Sequence, residues 1–361
     1  MAITTARAQA GTLLDWYDRH ARMLPWRIPP AERARGVRPD PYRVWLSEVM
    51  LQQTTVAAAT GYFLRFTARW PDVHSLAAAP RDDVLAAWAG LGYYARARNL
   101  HACAQVVSRD CGGRFPETEA GLQALPGVGA YTAAAIAAIA FDLPSVVVDG
   151  NVERVMARLF AETEPLPEVM PALRARAAGL TARDRPGDYA QAVMDLGATV
   201  CTPARPACLA CPWRPACRGR ALGIAETLPR RAATATKPVR QGTAWVALDA
   251  DGRVLTERRT DRGLLGGMLA VPSTSWRPVE TAPGGVAEDA PPLPGAWETV
   301  GEVRHVFTHF RLRLEVRRLQ LARPGGAGFV PADEAEAAMP TVFARAVRLA
   351  RGDGRPGRRA R

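Results

Sequence analysis

Lysine is almost missing from this chain of 361 residues. All but one of its 47 basic side chains are arginine, and the exception is Lys237. A coding bias accounts for arginine over lysine and for the alanine-rich runs. The scarcity still excludes something: before residue 237 no lysine side chain can form a Schiff base. Acids are also in deficit, 35 against 47 basic residues, for a formal charge of +12. That surplus suits a polyanionic partner such as nucleic acid or an anionic membrane surface. No run of 18 or more apolar residues is present, so no membrane helix is expected. Asp15, Asp18 and Arg19 interrupt the apolar residues near the start, leaving no signal-peptide core. The expected compartment is the cytoplasm, where six cysteines are not expected to form disulfides.

What is present divides in two. Residues 6 to about 222 carry apolar residues at spacings of three and four, as in Val44–Phe66, Asp82–Ala89, Ala130–Phe141 and Asn151–Phe160. This region, 1–225, is expected to be all helical. Residues 226–240 are polar, contain proline and read as a linker. From 241 the period becomes that of strands, at Thr243–Ala250, Arg253–Arg259, Glu298–Thr308 and Phe310–Leu321. A last helix is expected over 335–349, closing a second domain at 241–347, and 348–361 reads as a disordered basic tail. The positive charge lies in the helical part, linker and tail, while 241–347 is near neutral. The second domain is therefore no generic polyanion binder.

Four motifs carry chemistry. Cys201, Cys208, Cys211 and Cys217 lie within one short loop and can wrap one metal centre. Zinc sites usually come as two CxxC knuckles. Only one close pair occurs here, which favours an iron–sulfur cluster, although spacing alone leaves zinc open. Leu125-Pro126-Gly127-Val128-Gly129-Ala130-Tyr131-Thr132 joins a short helix to an alanine-rich one. Gly127 and Gly129 allow close backbone approach, and free N–H groups at the second helix could hold a phosphate. That describes a helix–hairpin–helix, or equally an ordinary glycine-rich turn. Asp149-Gly150-Asn151 follows an apolar run and opens an amphipathic helix. Asp149 is placed as an N-cap, where N–H donors and the helix dipole favour its charged form. Finally, Glu48 lies among Val44, Trp45, Leu46, Val49, Met50 and Leu51. Desolvation there would favour the protonated carboxyl, as a general acid requires. By itself it reads rather as the one polar stripe of an otherwise buried helix.

Together these pieces resemble the MutY-type adenine DNA glycosylases of the helix–hairpin–helix superfamily, which includes endonuclease III. The resembling residues are Leu24–Arg27, Ser47–Thr54, Gly90–Tyr94, Arg96–Leu100, Leu125–Thr132, Val148–Val152 and the four-cysteine loop, in the family's order over about 12–217. The resemblance implies an α + α/β multidomain fold: an all-helical core (a six-helix subdomain at about 28–140, with 1–27 and 141–225 forming a cluster subdomain), then a Nudix-like α/β domain. It implies a monomeric, monofunctional glycosylase, working on the nucleoid, that removes adenine mispaired with 8-oxoguanine or guanine in double-stranded DNA.

The same resemblance implies roles. Glu48 would protonate adenine at N7, and Asp149 would face the cationic sugar, with Tyr131 and Asn151 in support. Arg27 would line the adenine pocket. Gln53, Thr54, Leu91 and Tyr93 would enter the duplex beside the oxidised guanine. The four cysteines would hold one 4Fe–4S cluster. Phe307, Thr308 and His309, with the Arg262–Met268 run, would read 8-oxoguanine; the family often has Ser where Thr308 stands. Residues 241–347 lack the REUxEE run that a magnesium-dependent Nudix hydrolase needs. Two other readings are an endonuclease III-like glycosylase and lyase, whose lysine would stand where Tyr131 is, and a non-catalytic iron–sulfur DNA-binding protein.

Overall fold

The structure, a computed structural model, describes residues 9–232, 236–260, 264–279 and 290–352. It separates into two compact units. One comprises Met1–Pro80 with Arg98–Thr234, and the other Arg81–Ala97 with Ala235–Arg361. The sequence pattern places 81–97 in the helical core, whereas the structure groups that stretch with the C-terminal unit.

The first unit is built round the helix Ala130–Phe141, where every side chain from Thr132 to Ile139 is buried. Its alanines are small enough for the helices Pro41–Leu51, Glu119–Gln123 and Pro186–Asp195 to pack on it from several sides. The continuous helical pattern over 44–66 resolves into two helices, Pro41–Leu51 and Val56–Arg69. The break has a local cause. Gln53 is left-handed at φ 57°, and Thr55 caps the second helix by accepting from Ala58 N. The break leaves Gln52, Gln53 and Thr54 outside either helix. Residues 226–240, expected to be a linker, are partly built into the units: Leu228 is buried, its carbonyl accepts from Arg158 Nε at 3.0 Å, and Val239 and Arg240 open a strand.

The second unit holds a mixed sheet. Its strands are β1 (Val239–Leu248), β2 (Arg253–Leu255), β3 (Glu257–Arg258), β4 (Leu269–Ala270), β5 (Arg277–Pro278), β6 (Glu298–Val306), β7 (Arg311–Gln320) and β8 (Phe329–Pro331). The main sheet runs β6-β7-β1-β2-β8, with β5 also on β1, and β3 pairs with β4 separately. β1 and β7 are parallel from Val239↔Arg311 to Leu248↔Gln320, and β6 is antiparallel to β7. The alternation in β7 does what a period of two requires: Leu312, Leu314 and Val316 are buried while Arg311 and Arg313 are exposed. Each such burial contributes about 1.5–3 kcal/mol relative to exposure. The expected strand 253–259 is interrupted at Thr256, whose N–H and hydroxyl both donate to Gly328 O.

The expected helix 335–349 is two helices, Ala332–Ala338 and Thr341–Arg351. Pro340 separates them because proline cannot continue the ladder of hydrogen bonds. The second helix runs to Arg351, so 348–351 are not tail; residues 353–361 of the expected tail lie outside the described residues. It buries Val342, Phe343, Ala346, Val347 and Ala350 and packs on β1, β6 and β7. Among the described residues no helix is long and apolar enough to cross a membrane.

Candidate active site

Three helix ends and an N-terminal segment meet at one cavity of ≈ 430 Å³. Asp40 starts the first helix, accepting from Tyr42 N with Pro41 in the first turn, and the helix delivers Ser47 and Glu48. Gly129 caps Ala130–Phe141, which puts Tyr131 in its first turn. Asp149 caps Gly150–Phe160. Arg22, Trp26 and Arg27 complete the wall from the N-terminal side, with Gln52, Gln53, Thr54 and Asn151 also in the lining.

The two carboxylates have opposite surroundings. Glu48 is buried among apolar side chains, and Tyr131 Oη donates to its Oε2 at 3.1 Å. Burial above all pushes its carboxyl up to about 7; the Tyr131 hydrogen bond opposes this, the nearby charge of Asp149 adds to it, and Arg27 opposes it least. Asp149 is instead surrounded by donors. Its Oδ1 accepts from Asn151 N at 2.9 Å and Val152 N at 2.8 Å, and its Oδ2 accepts from Asn151 Nδ2 at 2.8 Å. One group can thus carry a proton near neutral pH while the other presents negative charge, the division of labour of two-carboxylate glycoside cleavage. Burial also raises the Tyr131 hydroxyl well above its ordinary value, so it is a neutral donor.

Of the residues singled out from sequence, Arg27, Glu48, Gln53, Thr54, Tyr131, Asp149 and Asn151 are brought together in this cavity. Leu91 and Tyr93 are not in its lining. Leu91 is buried, with its carbonyl accepting from Arg96 Nη2, and Tyr93 is exposed at φ 51°. Gly127 occupies the turn before the Tyr131 helix at φ 74°, and a Cβ there would lie 2.5 Å from Asn99 Cβ. Gly127→Ala is therefore expected to lower stability by more than about 1 kcal/mol, measured by denaturant midpoint. Gly129 has open space around it and serves as the helix cap.

In the other unit, Phe307–Phe310 form the tight connection of β6 to β7, closed by Phe307 N donating to Phe310 O at 2.9 Å. Phe307 stacks on Phe310, while Thr308 and His309 are exposed at the tip. Lys237, the lone lysine, donates from Nζ to Phe307 O. In the 262–268 run, Leu265 is left-handed and Met268 is buried, while Arg262 and Gly263 lie outside the described residues.

The four loop cysteines line a second, small cavity together with Arg158, Arg214 and Arg220. Arg158 is almost fully buried, and its Nη1 donates to Cys201 Sγ at 3.5 Å and to Thr202 O at 2.6 Å. Four thiol donors around one cavity with cationic walls fit an anionic iron–sulfur cluster. The sulfurs are not gathered as a single-ion site: among the described residues no three His, Cys, Asp or Glu side chains are placed to hold one metal ion.

Several residues of the site were missed from sequence. Arg154 donates to Asn151 Oδ1 at 2.8 Å, to Gly197 O at 2.7 Å and to Cys201 O at 2.7 Å, joining the Asp149 cap to the cysteine loop. Its place one turn after Asn151 was the available signal. Gly197 packs on Asn151, where a Cβ would come within 2.6 Å. Arg22 and Asp195 gave no signal, because their pairing spans 173 positions.

Residues 46–177 match the family described as HhH-GPD superfamily base excision DNA repair protein, and residues 243–349 match the NUDIX domain. The chain is therefore of the helix–hairpin–helix base excision repair class, with a Nudix-type second domain. It is 36% identical to the adenine DNA glycosylase of Homo sapiens, over 98% of this chain and 76% of that protein. It is 40% identical to that of Mycolicibacterium smegmatis, over 61% and 72%. A solved thermostable thymine-DNA glycosylase matches with a TM-score of 0.52 at 29% identity, over 59% of this chain and 95% of that one. The chain belongs to the adenine DNA glycosylase family.

Proposed function

We propose that this protein hydrolyses the N-glycosidic bond of adenine mispaired with 8-oxoguanine or guanine in duplex DNA, and leaves the strand uncut. The observation that carries this reading is the single cavity in which Glu48 is held near neutral pH and Asp149 is held by three N–H donors. A stacked adenine is out of reach of such a cavity, so it must be flipped into it, and a mispair opens at lower cost than a matched pair. Glu48 gives its proton to N7 of the base. The C1′–N9 bond then breaks with its electron pair going to adenine, and Asp149 faces the cation left on the sugar. Water adds its oxygen to C1′ and returns a proton to the Glu48 carboxylate. Tyr131 and Asn151 hold the two carboxylates in place. Arg27 lines the base pocket, and Gln53 and Thr54 stand at its DNA side.

Among the residues lining the cavity there is no lysine, and Lys237 lies in the other unit. That supports hydrolysis by water over Schiff-base lysis. The test is a single-turnover assay on an A:8-oxoguanine oligonucleotide. Free adenine is expected, with a strand that breaks only after alkali or heat. A strong borohydride-trapped protein–DNA adduct would contradict the reading.

Cys201, Cys208, Cys211 and Cys217 are the residues to hold one 4Fe–4S cluster. Such a group would order the loop whose Arg205, Arg214 and Arg218 meet DNA phosphates. Purified protein is expected to show broad visible absorption that a Cys211→Ser variant loses or weakens; a colourless protein containing zinc would contradict the assignment. Thr308, exposed at its turn, is the hydroxyl assigned to 8-oxoguanine, between Phe307 and His309. The protein acts on DNA as a monomer, inside the cell on the nucleoid.

A further inference from the structure

Behind the cavity wall sits an acid that the scheme above does not use. Asp195 ends the helix Pro186–Asp195 and is fully buried, with a relative exposure of 0%. A π-helical turn, Leu196–Val200, follows it directly. Its partners are two arginines of the cavity lining. Arg27 Nη1 donates to both carboxylate oxygens, at 2.9 and 2.8 Å. Arg22 donates from Nε to Oδ1 at 2.6 Å and from its backbone N to Oδ2 at 3.0 Å. A buried carboxylate needs such partners, and breaking one side of a buried pair leaves an uncompensated charge.

We propose that Asp195 is a positioning residue for the glycosylase reaction: it fixes Arg22 and Arg27 at the base pocket and offsets their charge beside Glu48. The inference rests on the reading of Glu48 as the general acid. The formal charges of the groups around the cavity motivate it. Arg22 and Arg27 bring two positive charges, and Asp149 and Asp195 two negative ones, so the surroundings balance when Glu48 is protonated. The groups facing Glu48 are Tyr131 from the helix Ala130–Phe141, Asp149 from the cap of Gly150–Phe160 and Arg27 from the N-terminal segment. Tyr17, from the helix Ala10–His20, acts on the Arg27–Asp195 pair and is neutral, its hydroxyl pushed up to about 12 by burial. Of these groups Arg27 is the one that pulls Glu48 toward ionisation by its charge, and Asp195 is the carboxylate paired with Arg27. With the negative charge at Asp195 gone, the Arg27 charge is no longer offset by its own partner and acts more strongly on Glu48 against Asp149 alone. The carboxylate form is then favoured and the acid loses its proton at a lower pH.

The test is the pH dependence of single-turnover adenine release in D195N. Wild-type release is expected to fall as pH rises through about 7. In D195N the fall is expected about one pH unit lower, so that release is down about tenfold at pH 8 and recovers to within about threefold at pH 5.5. D195E, which keeps the charge, is expected to retain the wild-type profile at a reduced rate. Should D195N not fold, D195E carries the test, and a shifted profile there would overturn the proposal. An equal loss at every pH in D195N would also overturn it, since a merely structural role predicts that. A wild-type rate with no fall above pH 7 would overturn the reading of Glu48 itself, and the proposal with it.

Discussion

Glu48→Gln is expected to lower adenine release by about 10²–10⁴-fold or more, with duplex binding largely retained. Glutamine keeps the side chain's length and can still accept from Tyr131, whose hydroxyl lies 3.1 Å from Oε2. It removes only the transferable proton. The substitution should also change stability in a pH-dependent way. Burial holds the carboxyl at about 7 in the folded protein, against an ordinary value of 4.5. Between those values the folded protein holds a proton that the unfolded chain has released. This stabilising effect is complete below about 4.5 and is lost as pH rises through about 7. Glutamine has no such dependence. E48Q is therefore expected to melt above wild type at pH 8 relative to their difference at pH 4.5. Melting curves at the two pH values check this, and an unchanged difference would mean that Glu48 is not desolvated. Retained turnover in E48Q would remove the acid role altogether.

Asp149→Asn separates the cap from the charge. Asparagine caps helices about as well as aspartate, and its carbonyl oxygen can take over Oδ1, accepting from Asn151 N and Val152 N. The contact between Oδ2 and Asn151 Nδ2 becomes one between two donors and must rearrange. Stability should change by no more than about 1 kcal/mol. Adenine release should fall by about 10²–10³-fold, the typical loss when a preorganised electrostatic partner of a transition state is removed. The substrate is not yet cationic in the ground state, so the loss is expected in the rate at saturating enzyme rather than in duplex affinity. A rate loss matched by an equal loss of affinity would place Asp149 in binding instead.

Much of this site was legible in the sequence because its chemistry is local. Asp149 and Asn151 are two positions apart, and the cap that holds them is a short-range motif. The four cysteines lie in one loop. Glu48 could be read as a desolvated acid, but the residues beside it in sequence could not distinguish that from a polar stripe; Tyr131, 83 positions away, is what makes the arrangement specific. Asp195 was invisible for the same reason: a buried acid at a helix end has no local signature, and its arginines come from the other end of the helical unit. In the second domain the alternation of β7 was clear, because one face meets the core and the other meets water. The break at Pro340 was passed over, since apolar residues recur on both sides of it. The Gly90–Tyr94 pattern was equally local, and the structure gives it a buried Leu91 and an exposed Tyr93.

The most direct measurement compares single-turnover base release from A:8-oxoguanine, A:G and thymine glycol duplexes of otherwise equal sequence. The account predicts free adenine from the first two, no base released from the third, and intact strands until alkali or heat is applied. Release of thymine glycol with spontaneous strand cleavage would contradict it.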